Sequence, residues 1–146
     1  MRVHACARVA LPRSLVWEVL ADHEGMSGWL PGIVAKLERP GQFEANGIGA
    51  VRSIGIPGVA VREEIIGHVP RRWLAYKAVS GIPLRSYCGE VLLSGDNHHT
   101  TVTWTLGCEN RSWVIEFALR RLAHVLVLSL VRAARRQHKR ERLKTG

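Results

Sequence analysis

The chain has 146 residues, 47% of them hydrophobic, with ordinary glycine and proline contents, and this predicts one globular domain over residues 1–146. The net charge is +9, but residues 132–146 hold seven basic residues and one acidic residue, which leaves +3 for the other 131 residues and disfavours a nucleic-acid-binding fold. Three cysteines without metal-like spacing, and no secretion leader, favour a reducing, cytoplasmic location.

The first part of the chain is predicted to form one strand followed by two short helices. Apolar and polar side chains alternate over residues 3–9 with the period of a half-buried strand. Pro12 suits the first turn of a helix, and the apolar spacing after it predicts a helix that ends near Asp22. A second, shorter helical segment is expected around residues 24–30, where Pro31 ends it.

The middle of the chain is predicted to be a meander of six strands. Turn-forming pairs such as Pro57-Gly58 and Val69-Pro70 separate its segments. Because connections this short join antiparallel neighbours, we expect consecutive strands to pair. The predicted strands are residues 33–37, 49–56, 59–69, 72–79, 84–94 and 100–109.

A long helix is predicted at the C-terminus. Asn110-Arg111-Ser112 can cap its start, and no glycine or proline follows until Gly146, which allows a helix on the order of 40 Å long. Its apolar residues are too many for one narrow stripe, so we expect burial on more than one side. The longest apolar stretch, residues 122–131, is about half of the ~20 residues that a membrane span needs, which disfavours a transmembrane helix.

This order of elements resembles the helix-grip fold of the polyketide cyclase/dehydratase and START-like lipid-transfer superfamily. The resemblance runs from about Val3 to Val131 and rests on the order and spacing of short segments. These segments are Leu11-Pro12, Val16-Trp17, Leu20-Ala21-Asp22, Trp29-Leu30-Pro31, Gly47-Ile48-Gly49 with Arg52, Arg62-Glu63-Glu64, Val69-Pro70, Leu74-Ala75-Tyr76, PLRSYCG over residues 83–89 and TTVTW over residues 100–104. The resemblance implies an α+β fold in which a curved antiparallel sheet of about seven strands grips the long C-terminal helix around a largely apolar cavity.

Strand alternation suggests which side chains face that cavity. Tyr76, Tyr87 and Trp104 each share a strand face with apolar residues and are expected to point inward. Arg52 shares a face with Ile54 and Ile56. On the next strand the inward glutamate is Glu63 or Glu64, depending on the register.

A buried glutamate needs a partner, and Arg52 on the neighbouring strand could supply one. The pair is then either a structural ion pair, or Arg52 orients a ligand. Trp17 is expected to pack in the core, whereas Trp29 either packs in the core or lines the mouth of the cavity. The full set of predicted cavity residues is Trp29, Arg52, Glu64, Tyr76, Tyr87, Trp104, Phe117 and His124.

The sequence contains no catalytic signature, and we predict neither a metal nor a cofactor. The adjacent His98 and His99 would point to opposite faces of a strand, so they are poorly placed to share one ion. Gly47-Ile48-Gly49 lacks the third glycine and the following helix of a dinucleotide site. Each of the three cysteines lacks an evident activating base.

We therefore predict a protein that binds a small hydrophobic or amphipathic molecule, such as a lipid or a polyketide-like compound, between sheet and helix. The alternatives are an enzyme of the cyclase/dehydratase kind that uses the same pocket, and an interaction module or homodimer whose cavity is filled by side chains. The basic tail at residues 132–146 is either a solvated helix end or a contact for an anionic membrane; nucleic acid is the least favoured partner.

Overall fold

A computed structural model describes residues 1–56 and 58–145. Seven antiparallel strands form one sheet in the order β1-β7-β6-β5-β4-β3-β2. The elements are β1 (Arg2–Val9), α1 (Arg13–Ala21), α2 (Met26–Trp29), β2 (Val34–Arg39), β3 (Val51–Ile56), β4 (Val59–Val69), β5 (Trp73–Ser80), β6 (Cys88–Gly95), β7 (Thr100–Gly107) and α3 (Trp113–Thr145). The helix-grip prediction, with its two short helices and long final helix, is confirmed.

Helix α3 is the longest element, and it packs across one face of the sheet. Its 33 residues correspond to a length of about 50 Å, longer than expected because the basic tail continues the same helix. It contacts β1, β7, α1 and α2. Ala133 and Ala134 are buried within the tail, so small side chains extend the packed face beyond the sheet. No helix of the described residues is both long and apolar enough to cross a membrane.

Alternation within the strands directs one face of the sheet toward α3. On β7, Val102, Trp104 and Leu106 are buried while Thr101, Thr103 and Thr105 between them are partly exposed. This is the pattern of a half-buried strand. The buried set joins Leu119, Ala123, Val127 and Leu130 of α3 in one core.

The start of β6 differs from the prediction. It begins at Cys88, four residues later than expected, because residues 84–87 form a turn in which Ser86 has a positive φ of 52°. Tyr87 nevertheless lies buried beside the sheet. The sequence pattern was a poor guide here because Tyr87 is the only buried residue of this turn, and Arg85 and Ser86 within it are exposed.

Trp17 on α1 packs in the core, as predicted. It is 8% exposed, and its ring lies edge-on against the His68 ring of β4, with the ring centroids 5.2 Å apart. The tryptophan therefore fixes α1 against the sheet.

Candidate ligand-binding cavity

A cavity of about 290 Å³ lies between the sheet and α3. The sheet forms one wall, from the β3–β4 hairpin to the inner face of the central strands, and α3 with Met26 of α2 forms the other. The lining residues are Met26, Ile33, Arg52, Ile54, Gly55, Ile56, Val59, Val61, Glu63, Tyr76, Ile82, Tyr87, Trp104, Leu122 and Leu126. Most of these side chains are apolar, and the charged ones are Arg52 and Glu63.

The exposure of the lining residues separates a floor from a mouth. Tyr76 and Trp104 are almost fully buried and form the floor. Ile56, Val59 and Leu122 are exposed, so the cavity opens between the β3–β4 hairpin and α3. An apolar rim is suited to a ligand that enters from an apolar environment.

An ion pair between Arg52 and Glu63 is built into the cavity wall. The two residues are directly paired in the β3–β4 ladder, and Arg52 is 2% exposed. Nε and Nη2 of Arg52 lie 3.1 and 3.0 Å from Oε1 of Glu63. Burial raises the pKa of Glu63, and the charge and hydrogen bonds of Arg52 oppose that rise.

His23 holds the other end of the Arg52 guanidinium. It is fully buried just after α1, with Nδ1 3.1 Å from Arg52 Nη1 and Nε2 2.8 Å from the carbonyl oxygen of Asn46. Because a carbonyl only accepts and a guanidinium only donates, the ring carries its proton on Nε2. Burial, and then the Arg52 charge, lower the pKa of His23 to about 4, so the ring is neutral at physiological pH.

Two further contacts complete the surroundings of Arg52. Nη1 also lies 3.5 Å from Sδ of Met26, and Cζ lies 4.7 Å from the centre of the Tyr76 ring, within the range of a cation–π interaction. Arg52 is thus held from several sides, and most of its N–H groups point at protein partners. Oε2 of Glu63, by contrast, receives no hydrogen bond from the residues that the structure describes.

Tyr76 is positioned by Trp104 and by a glycine. Nε1 of Trp104 donates to the Tyr76 hydroxyl at 3.0 Å. Gly89, its neighbour on β6, leaves the space that the Tyr76 ring fills, since a β-carbon at Gly89 would overlap that ring. Burial raises the pKa of the Tyr76 and Tyr87 phenols well above their ordinary value, and the carboxylate of Glu63 adds to this, so both stay protonated.

Four of the eight predicted cavity residues line the cavity in the structure: Arg52, Tyr76, Tyr87 and Trp104. Glu64 does not, which corrects the candidate set. Strand alternation places it on the opposite face from Glu63, where Oε1 lies 3.7 Å from Nη2 of Arg39.

Phe117 and His124 also lie outside the cavity. They line a groove between α3 and β1, because the buried face of the helix is centred on residues such as Leu119 and Ala123. Phe117 is two positions from Leu119, about 200° around the helix, and it is 62% exposed. Leu122 and Leu126 are the α3 residues that line the cavity instead.

Trp29 packs in the core and not at the cavity mouth. It is 8% exposed and borders a separate cleft with Ala133 and Arg136 of α3. Its Nε1 is buried without a hydrogen-bond partner among the described residues. Within the described residues, no group of three or more His, Cys, Asp or Glu side chains is placed to hold a metal ion.

The fold and the apolar cavity define a helix-grip protein of the START and SRPBCC class. More specifically, the chain belongs to the family described as polyketide cyclase / dehydrase and lipid transport, whose model matches residues 1–144. A search of curated proteins found no similar sequence.

Several solved structures share the fold. A START superfamily protein from Mycobacterium smegmatis superposes with a TM-score of 0.79 at 10% identity, over 92% of this chain and 97% of that one. The Zhui aromatase/cyclase from a Streptomyces species superposes with a TM-score of 0.73 at 21% identity, over 94% of each chain. A protein from Thermobifida fusca superposes with a TM-score of 0.75 at 20% identity, over 94% of this chain and 93% of that one. At these identities the likeness shows the fold.

Proposed function

We propose that the protein binds one small, uncharged, largely apolar molecule that carries a hydroxyl group. The observation that carries this proposal is the cavity itself, in which an apolar wall surrounds an ion pair that is already internally neutralised. Apolar area removed from water would supply most of the affinity, at about 25 cal/mol per Å².

The size of the cavity supports a compact ligand. Its volume of about 290 Å³ equals that of roughly ten water molecules and lies at the lower end of the range for ligand pockets. It suits one ring system or one short chain better than a lipid with two acyl chains. The same volume argues against an interaction module whose cavity is filled by side chains.

The polar groups support a neutral ligand. An anionic ligand would meet the Glu63 carboxylate, while Arg52 already donates to Glu63 and His23. A ligand hydroxyl could instead donate to Oε2 of Glu63, and a hydrogen bond to a charged acceptor is among the stronger kinds. We therefore assign the recognition of the polar end of the ligand to Glu63.

Binding fits the geometry better than acid–base chemistry of the cyclase/dehydratase kind. The tyrosines are held in their protonated form, and His23 has both ring nitrogens hydrogen-bonded. Glu63 is the one carboxylate among the lining residues described, and the charge and hydrogen bonds of Arg52 oppose the rise in its pKa, which weakens it as a general base. If the protein converted the bound molecule to a product, that result would support the cyclase/dehydratase alternative instead.

Calorimetry with 2-naphthol and 2-naphthoate would test the proposal, since the two probes share a ring system and differ in hydroxyl against carboxylate. We expect 2-naphthol to bind at least about tenfold more tightly. Glu63→Gln should reverse the preference, because Arg52 would then lack its counterion. Glu64→Gln, one residue away on the outer face, is the matched control and should keep the preference for 2-naphthol. Equal binding of both probes to the unmodified protein, or binding of neither, would overturn the proposal.

A further inference from the structure

The N-terminal half of α3 exposes an unusual apolar surface. We call it the α3 apolar face; it consists of Trp113, Val114, Phe117, Ala118, Leu122 and Val125. Trp113 is 80% exposed and Phe117 is 62% exposed. At 3.6 residues per turn these positions fall on one side of the helix, opposite Leu119 and Ala123 in the core.

Basic groups lie along one edge of this face, at Arg120, and within it, at Arg121 and His124. The groove between α3 and β1, about 350 Å³ in volume, is lined by Arg120, Arg121, His124 and His4 next to Phe117. Arg120 is paired with Glu116 at 2.9 Å, whereas Arg121 forms no ion pair with any residue that the structure describes. The groove therefore presents a free guanidinium beside exposed aromatic surface.

The cavity mouth borders the face on the other side. Leu122 belongs both to the α3 apolar face and to the cavity lining, and the exposed Ile56 and Val59 continue the rim across from it. Groove, apolar face and cavity mouth thus lie side by side around the same half of the helix.

We infer that the α3 apolar face docks on an anionic lipid surface, with the basic groove taking a phosphate headgroup. Exposed Trp, Phe, Val and Leu flanked by arginines is the composition of interfacial helices that lie in the plane of a membrane. Docking in this orientation turns the cavity mouth toward the lipid. That last consequence, and not the docking itself, rests on the proposed ligand-binding function.

Charge decides between a membrane and a second copy of the chain. Helix α3 carries nine basic and two acidic residues, a net charge of +7 out of +9 for the chain, and +6 of this lies in residues 132–145, beyond the apolar face. At 3.6 residues per turn, Arg132 and Arg135 fall on the same side of the helix as Phe117, so they would meet the same surface. Two copies joined through this helix would bring like charges together, whereas an anionic surface would be attracted. The apolar face and the charge balance therefore favour the same occupant.

Vesicle co-sedimentation of the full chain tests the inference. Vesicles of phosphatidylcholine and phosphatidylglycerol in equal parts should bind the protein, and vesicles of phosphatidylcholine alone should bind it much less. Phe117→Ser combined with Trp113→Ser should lower binding about tenfold or more, since both rings leave the contact. Phe43→Ser is the matched control, because Phe43 is an aromatic residue exposed to 92% on a loop away from α3.

A charge-reversal pair tests where the surface lies. Arg121→Glu should weaken vesicle binding several-fold more than Lys36→Glu, which reverses the charge of an exposed residue on β2, away from α3. Equal losses would overturn the inference and assign binding to overall charge. The protein could instead sediment as a dimer that the Trp113 and Phe117 substitutions convert to a monomer. That result would overturn the inference, because the face would then contact a second copy of the chain. Binding of 2-naphthol in lipid-free buffer should be unchanged in these variants, so docking and ligand binding can fail separately.

Discussion

Arg52 and Glu63 lie directly opposite each other on β3 and β4, with Nη2 of the guanidinium 3.0 Å from Oε1 of the carboxylate. Both side chains are buried in the wall of an otherwise mostly apolar cavity. Removing two charges from water is costly, and the attraction between them offsets that cost only when the remaining hydrogen-bonding groups are also satisfied. His23, which binds the guanidinium on its other side, is therefore part of the same unit.

The first prediction concerns the stability of this pair. Glu63→Leu alone leaves a buried guanidinium without its counterion and should lower the free energy of unfolding by about 3–5 kcal/mol. The double variant Arg52→Met with Glu63→Leu removes both charges and should recover most of that loss. Urea denaturation of the single and double variants would measure this. Glu64→Leu on the outer face should lower the free energy of unfolding by about 1 kcal/mol or less. An equal loss at both glutamates would contradict the assignment of Glu63 as the buried partner of Arg52.

The choice between Glu63 and Glu64 could have been predicted from the hairpin turn. Ile56 pairs with Val59, so two residues separate the strands. Counting back from a two-residue turn places Arg52 opposite Glu63, and strand alternation then directs Glu64 outward. The sequence marks this position by Pro57-Gly58, of which Pro57 lies outside the described residues, and the two-residue spacing between the strands fixes the register.

His23 and Phe117 show what the sequence pattern could not predict. His23 follows a helix end and reaches Arg52 only because α1 and α2 fold over the sheet, and no local periodicity reports such a contact. Phe117 belongs to a helix that is apolar nearly all around, so its hydrophobic pattern did not reveal which side packs. The inward positions of Tyr76 and Trp104 were predictable because strand alternation has a fixed period, whereas Tyr87 is buried from the turn before β6.

The second prediction concerns the dependence of stability on pH. The folded-state pKa of His23 is about 4, below the 6.5 of an unfolded histidine, so between these values the unfolded chain binds more protons. The free energy of unfolding should therefore rise with pH over this window, by about 3 kcal/mol in full.

Comparison with His23→Gln isolates this contribution. Glutamine keeps an N–H for the carbonyl of Asn46 and does not titrate, so the difference in stability between the two proteins should shrink as the pH falls from 6.5 to 4. Thermal denaturation across that range measures the difference. His98→Gln, at an exposed turn, controls for replacing a histidine on the surface. A difference that is constant with pH would show that His23 is not held neutral.

The third prediction concerns Gly89. Gly89→Ala places a β-carbon against the ring of Tyr76, so the ring must move away from Nε1 of Trp104. Overpacking of this kind should cost about 1–3 kcal/mol and should weaken ligand binding. Gly28→Ala on α2 is the matched control, since a β-carbon added there would meet no atom within 4 Å, and it should be neutral or slightly stabilising. Chemical denaturation of both variants compares them directly, and equal stability would refute the packing role of Gly89.

The last prediction concerns the volume of the cavity. Val61 lines the cavity from β4 at the partly exposed end of the strand, so Val61→Trp can fill that space without disrupting the fully buried core. Affinity for 2-naphthol should fall about tenfold or more because the added ring occupies the binding volume, while the free energy of unfolding should change by about 1–3 kcal/mol at most. Val79→Trp makes the same change at an exposed position of β5 outside the cavity and should leave affinity unaltered. Calorimetric titration of the two variants measures both affinities. Unchanged binding in Val61→Trp would place the ligand elsewhere on the protein. An added indole and a bound naphthol cannot share a cavity of about 290 Å³.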